Sequence, residues 1–409
     1  MSADNLSAGD RPAAALPPFN PMASGFHDNP YPFYHRYRER DPVHWSTLGA
    51  APGAGMWYLF RNEDVMAALR NPNLIRDPRI LPPAPLRGML EKWMLFRNPP
   101  DHTRLRSLVS KAFTPQRAER LVPAIQSTAD FLIDAVADRG QMDLIADYAS
   151  PLPLIVIAEL LGVPAEDREQ LRRWTIDMVV AIDFGPSREG MIRAMAAARD
   201  LMAYLRELIV IRRHGVPRDD LISALLAAEE QGDRLTEDEL LSMCSLLLGA
   251  GHETTVNLIG NGSLALMTQR DQWERLRAQS DVLETGVDEL LRFDSPVQMT
   301  FREAAADGEL VGHPIKKGDL VAILLGSANR DPALFPDPDR LDLGRPVGKH
   351  AAFGMGIHFC LGSHLARLEG RIAFETLARR LPHMRLVPDP LERREGIAFR
   401  GVKALPVTF

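Results

Sequence analysis

The stretch Phe353-Gly-Met-Gly-Ile-His-Phe-Cys360-Leu-Gly362 decides how the rest of this chain is read. Glycines at 354 and 356 permit a tight turn with positive φ, and Gly362 lets a flat ligand approach the backbone closely. Beyond them, Leu361, Leu365, Leu368 and Ile372 recur at helical spacing, so Cys360 is expected to open a helix. Unpaired amides and the positive helix end stabilise a thiolate there, and a thiolate is suited to a soft metal centre. A lone cysteine is ordinarily just a small buried hydrophobe, and that is the reading for Cys244 among Leu241, Met243 and Leu246.

A chain of 409 residues, 45% hydrophobic and 25% charged, can bury a large core. Its net charge of -6 comes without a concentrated basic or acidic tail, so nucleic acid is not an expected partner. Two cysteines far apart make neither a disulfide framework nor a zinc cluster and point to a reducing cytosol. No run reaches the ~20 apolar residues of a membrane span, and even residues 152–158 are halted by Glu159. The N-terminus also lacks a basic head followed by an apolar run. A cytoplasmic enzyme acting on small molecules, with no membrane anchor, is expected.

The first twenty residues are rich in Ala and Pro and read as a flexible leader, 1–20, that settles near Phe19. Apolar residues at i, i+3 and i+4 recur through 121–136, 154–161, 191–211 and 221–228, predicting successive amphipathic helices. Strand-like pieces stand at 56–60, 308–311, 320–325 and 404–409, and residues 82–97 read as a long loop. The fold class is therefore mainly α with a small β portion, and no repeat or low-complexity linker marks a domain boundary.

The most informative helix begins at Thr236, which forms a capping-box pattern with Glu239. No proline follows until Pro296, so one helix can run to roughly Thr268, about 48 Å at 1.5 Å per residue. Gly249 and Gly251 sit near its middle, where each costs about 1 kcal/mol relative to alanine. His252, Glu253, Thr254 and Thr255 follow, a polar cluster inside an otherwise apolar series. The Thr254 hydroxyl is placed to bond back to the Ala250 carbonyl, which bends helices. Two readings stand side by side at this point: a packing kink with a solvated face, and a functional break.

Phe353, Gly356, Cys360 and Gly362 match F-x-x-G-x-x-x-C-x-G, the haem-binding signature of the cytochrome P-450 family, which this chain resembles over most of its length after the leader. Ala250, Gly251, Glu253 and Thr254 match that family's oxygen-binding motif, A/G-G-x-D/E-T, and Glu289 with Arg292 match its E-x-x-R motif. The resemblance implies a single catalytic domain, 21–409, with a long central helix and haem b (iron protoporphyrin IX) between it and the cysteine-ligand helix. It implies that Cys360 ligates the iron and that Glu253 and Thr254 deliver protons to oxygen. It also implies that His102, Arg106, Arg302 and His358 hold the haem propionates, and that Arg340 completes the structural clamp of Glu289 and Arg292.

By the same resemblance the activity is a haem-thiolate monooxygenase that uses O2 and two external electrons to hydroxylate or epoxidise a hydrophobic small molecule. Fatty acids, polyketides or macrolides, and terpenoids or steroids fit. A peroxide-driven catalyst and a non-enzymatic haem sensor are the alternatives. The chain has neither a dinucleotide fingerprint nor clustered cysteines, so electrons are expected from outside it; the resemblance implies that a ferredoxin and its reductase supply them to a monomeric enzyme. Arg104, Arg367 and Arg371 are candidates for the docking face. The substrate walls are expected at 81–96, 179–184, Leu247, Ala250, 297–300 and Phe399, with Arg76 or Arg79 a candidate to meet a carboxylate unless it lies on the surface.

Overall fold

The computed structural model describes residues 16–47, 55–76, 86–179, 188–230, 233–346, 348–388, 390–394 and 396–409. The predicted helix beginning after Thr236 is its axis: Glu237–Thr268, 32 residues, without interruption. Both capping-box bonds are present, from Thr236 N to Glu239 Oε2 at 2.8 Å and from Glu239 N to Thr236 Oγ1 at 3.3 Å. Three acidic residues open this helix, as its positive end favours, and each meets a cation from a different element. Glu237 pairs with Arg213 at 2.9 Å, Asp238 with Lys92 at 2.8 Å, and Glu239 with Arg104. The glycines inside the helix do not interrupt it. Gly262 instead lets a neighbour close in, since a Cβ there would stand 2.5 Å from the Phe374 ring.

Helices pack around this axis. Ser363–Arg380 lies on one side, and Pro151–Leu161 and Arg188–His214 on others. Val122–Asp134 backs Ser363–Arg380, and one apolar core runs through all of them. Pro151 at the first turn explains why that helix begins three residues before its apolar period does. No helix among the described residues is long and apolar enough to cross a membrane.

The β portion flanks this body. A five-stranded sheet has the order Val43–Ser46, Met56–Leu59, Leu320–Ile323, Thr300–Ala304, Leu74–Ile75. All its pairings are antiparallel except Leu320–Ile323 with Met56–Leu59. All four predicted strands are shorter in the structure, Met56–Leu59 by one residue. Gly308–Leu310 stops at Val311 and Gly312, which turn with φ of 48° and 80°; Leu320–Ile323 yields to a helical turn, Leu325–Ala328; and the C-terminal strand is Pro406–Thr408. That last strand pairs with Gln141–Asp143, which is too short to show a period in the sequence. Phe19 is buried against Tyr37, Tyr58 and Phe60, whereas the first fifteen residues of the predicted leader lie outside the described residues.

The Glu289–Arg292 pair lies within Leu283–Phe293 and is wholly buried. Arg292 donates through Nε and Nη2 to the two carboxylate oxygens at 2.6 and 2.8 Å. The third member of this clamp is Arg345, not the expected Arg340: Arg345 Nε donates to Glu289 Oε1 at 3.2 Å, and Arg340 contributes only its backbone carbonyl. The loop after Pro336 carries the later arginine back over the carboxylate, which sequence spacing alone does not show.

Candidate functional site

Between the central helix and the cysteine segment lies a cavity of about 570 Å³. Gly354 and Gly356 have the positive φ the sequence predicted, 68° and 73°, and a Cβ on Gly356 would stand 2.8 Å from the Leu69 carbonyl oxygen. This turn closes with Cys360 N donating to the Phe353 carbonyl at 3.0 Å. The helix expected to open at Cys360 begins at Ser363, with Gly362 as its cap, so the cysteine stands just ahead of the first turn. Cys360 is deep in the protein yet keeps accessible surface because it lines the cavity. Burial pushes its thiol up, against the Gly362 amide and the charges of Arg106 and Arg367, which favour the thiolate. A Cβ on Gly362 would meet nothing within 4 Å, so space is kept beside the sulfur.

Five cationic or potentially cationic side chains line one side of the cavity: Arg76, His102, Arg106, Arg302 and His358. His102 and His358 stack their rings 4.3 Å apart. Burial holds His102 below its ordinary value, reinforced by Arg106 and Arg76. Burial also holds His358 strongly down, reinforced by Arg76, Arg302, His102 and Arg106. Both imidazoles are thus neutral donors or acceptors near pH 7. Arg302 is pushed down to about 10 by burial, and Arg76 well below its usual range by burial and then by Arg302. Among the described residues no carboxylate acts on Arg76, Arg106 or Arg302; Cys360, where ionised, is the one group that would act on Arg106. Arg76 Nε and His102 Nδ1 are buried without a hydrogen-bond partner. Buried cations that lack counter-charges need an anionic ligand, and a flat iron-bearing group with two carboxylates at its edge, which Cys360 could ligate, would fit this donor set.

Thr254 lines the same cavity from the central helix, and its hydroxyl donates to the Ala250 carbonyl at 2.8 Å, as expected. Glu253 is buried on another face, accepting from Asn257 Nδ2 at 3.1 Å and paired with Arg394 at 2.9 Å. His252, fully buried, contacts the Ser150 carbonyl at 3.0 Å and is held down to about 4 by burial. Thr255, read from sequence as packing, approaches Glu369 Oε2 at 3.4 Å. Glu369 is a cavity residue that the motifs did not single out. Its position four after Leu365 and three before Ile372 puts it on the buried stripe of Ser363–Arg380, which was the available signal.

Burial pushes the Glu369 carboxyl up to about 8. Its folded-state value lies above the unfolded one, so its contribution to stability is complete below about 4.5 and is lost as pH rises through about 8. The variant Glu369→Gln is therefore expected to flatten the fall of stability between those values and to exceed the parent at pH 8. Urea-unfolding midpoints across that range check this; parallel curves for the two proteins would count against a neutral Glu369.

The expected substrate walls divide. Leu247, Ala250, Val297, Met299, Thr300 and Phe399 line the cavity, whereas Gln298 bonds elsewhere, to Ser295 and Tyr34. Of 81–96, Trp93, Met94, Leu95 and Phe96 line it, held by Trp93 Nε1 donating to Ser245 Oγ of the central helix at 2.8 Å. Residues 81–85 and 180–187 and Arg79 lie outside the described residues. Two of the expected docking arginines are engaged inside the protein. Arg104 pairs with Glu239 and Asp233, and Arg367 donates to Asp288 at 2.8 Å and lies over the Phe353 ring.

A family model described as Cytochrome P450 matches residues 169–396. The chain is 43% identical over 405 residues to the polyketide biosynthesis cytochrome P450 PksS of Bacillus subtilis (strain 168), across 95% of this chain and 98% of that protein. It is 43% identical over 391 residues to the vitamin D(3) 25-hydroxylase of Pseudonocardia autotrophica, across 94% of each. The solved structure of P450BioI in complex with hexadec-9Z-enoic acid ligated acyl carrier protein matches with a TM-score of 0.87 at 43% identity, covering 95% of this chain and 100% of that one.

Proposed function

This chain belongs to the cytochrome P450 family, and from that premise we propose that it hydroxylates or epoxidises an elongated hydrophobic molecule, with electrons from a ferredoxin and its reductase. The observation that carries the proposal is that Cys360 and Thr254 line one largely apolar cavity, with the cationic group at its side. Haem b, when bound, supplies O2 activation and transfer of one oxygen atom to the substrate. Cys360 would hold the iron as a thiolate; burial raises its thiol, and the Gly362 amide, Arg106 and Arg367 work against that in favour of the charge. His102, Arg106, Arg302 and His358 would take the propionates.

The remaining chemistry is proton handling. Thr254 gives its hydroxyl hydrogen to Ala250 and keeps oxygen lone pairs that can accept from a water in the cavity. Glu253 is ion-paired to the partly exposed Arg394, which connects a buried carboxylate to the surface and supports a proton route from solvent. Leu95, Phe96, Leu247, Val297 and Phe399 exclude water and orient an apolar substrate. Relatives named for polyketide and vitamin D(3) chemistry, and one bound to a fatty acyl carrier protein, support fatty acyl, polyketide or steroid-like substrates.

With Thr254→Ala, product formed per NADPH consumed is expected to fall by about a hundredfold, the lower end of what a positioned acid–base group contributes. Electron consumption should continue. Product and NADPH measured together in a reconstituted system decide this, and unchanged coupling would remove Thr254 from the proton path.

A further inference from the structure

We propose that Arg76 is a further haem-binding residue, which shares a propionate with Arg302 at the cofactor's edge. The inference rests on the haem assignment above and begins with strand register. Leu74 pairs with Ala304 and Ile75 with Glu303, antiparallel, so continuing that register sets Arg76 opposite Arg302. Residues directly opposite share one face of a sheet, and like charges placed so repel. Here both line the cavity, and water screens them little.

The chain nonetheless fixes Arg76 firmly. Its backbone amide donates to Asn98 Oδ1 at 2.9 Å, and its carbonyl accepts from Asn98 Nδ2 at 2.7 Å. The Asn98 carbonyl in turn accepts from His102 N at 2.9 Å. One asparagine therefore locks Arg76 to the start of Asp101–Ala112, the helix that carries His102 and Arg106. Such anchoring would concentrate repulsion unless an anion sits between the guanidinium groups. The buried, partnerless Nε of Arg76 marks an unused donor on the same side. Three arginines against two propionates leave neither carboxylate short of a charged donor.

The test uses purified holoenzyme and the variants Arg76→Gln and Arg76→Lys. Haem transfer to an excess of apomyoglobin is expected to speed up on the order of ten- to hundredfold in the Gln variant, the worth of a hydrogen bond to a charged group. Lysine should restore much of the retention. The reduction potential of the Gln variant should fall, because removing a positive charge disfavours the added electron. A residue that merely supported the loop would not move the potential or be rescued by lysine. Unchanged release and potential would overturn the proposal. So would normal haem retention together with a lost preference for a long-chain fatty acid over its alcohol in spin-state titrations, since that result places the substrate's carboxylate on Arg76. A wild-type protein without thiolate-ligated haem would instead defeat the haem assignment itself.

Discussion

Cys360→Ser is expected to lose the red-shifted Soret band of the reduced carbon-monoxide complex and to lower substrate oxidation by more than about a thousandfold, or ~4 kcal/mol of barrier. The substitution keeps the side chain's length and removes the thiolate. Because Cys360 borders the cavity, and the turn around it is held by backbone bonds such as Cys360 N to Phe353 O, the fold should survive. Thermal unfolding close to that of the parent would separate loss of the ligand from loss of structure. A red-shifted band that persists in the serine variant would show that another residue ligates the iron.

The second large effect is structural. Glu289→Ala should cost about 3–5 kcal/mol, because it leaves Arg292, and in part Arg345, buried without their carboxylate. The damage should travel to the cysteine segment along identifiable bonds. Arg292 Nη1 donates to the Asn329 carbonyl at 2.8 Å, and Asn329 Oδ1 accepts from Ala351 N at 2.6 Å. Ala351 O then accepts from Gly354 N at 2.8 Å, at the start of the turn before Cys360. Denaturant unfolding should show the loss, and haem content with the carbon-monoxide spectrum should show whether the turn is still formed. Arg340→Ala should do far less, since only its backbone enters the clamp. A stability change under about 1 kcal/mol for Glu289→Ala would contradict the uncompensated-charge account.

Local chemistry made much of this architecture legible. The central helix follows its capping box and lack of proline to within a residue, and the glycine turn before Cys360 has the dihedral angles its residues demand. Thr254 bonds one turn back because a hydroxyl at that spacing always can. What escaped depends on distant segments meeting. Arg345 reaches Glu289 only through the path of a loop, and Arg76 faces Arg302 only through the register of two short strands. Glu369 was visible as a carboxylate on an apolar stripe, but its neutrality arises from the packing of two helices. The central helix runs on through Gly249 and Gly251, which line the cavity beside Thr254, so the polar cluster sits in an unbroken helix.

With the propionates held as proposed, the uncompensated arginines also bear on the order in which the molecule is completed. A newly made chain has no counter-anion for Arg76 and Arg302, so the wall formed by residues 74–76, 98–106 and 300–302 is favoured to close only around its cofactor. On that assignment cofactor uptake is expected to accompany folding, because binding pulls the chain toward its native form by mass action. In a cell, the yield of finished protein would follow the supply of iron and porphyrin.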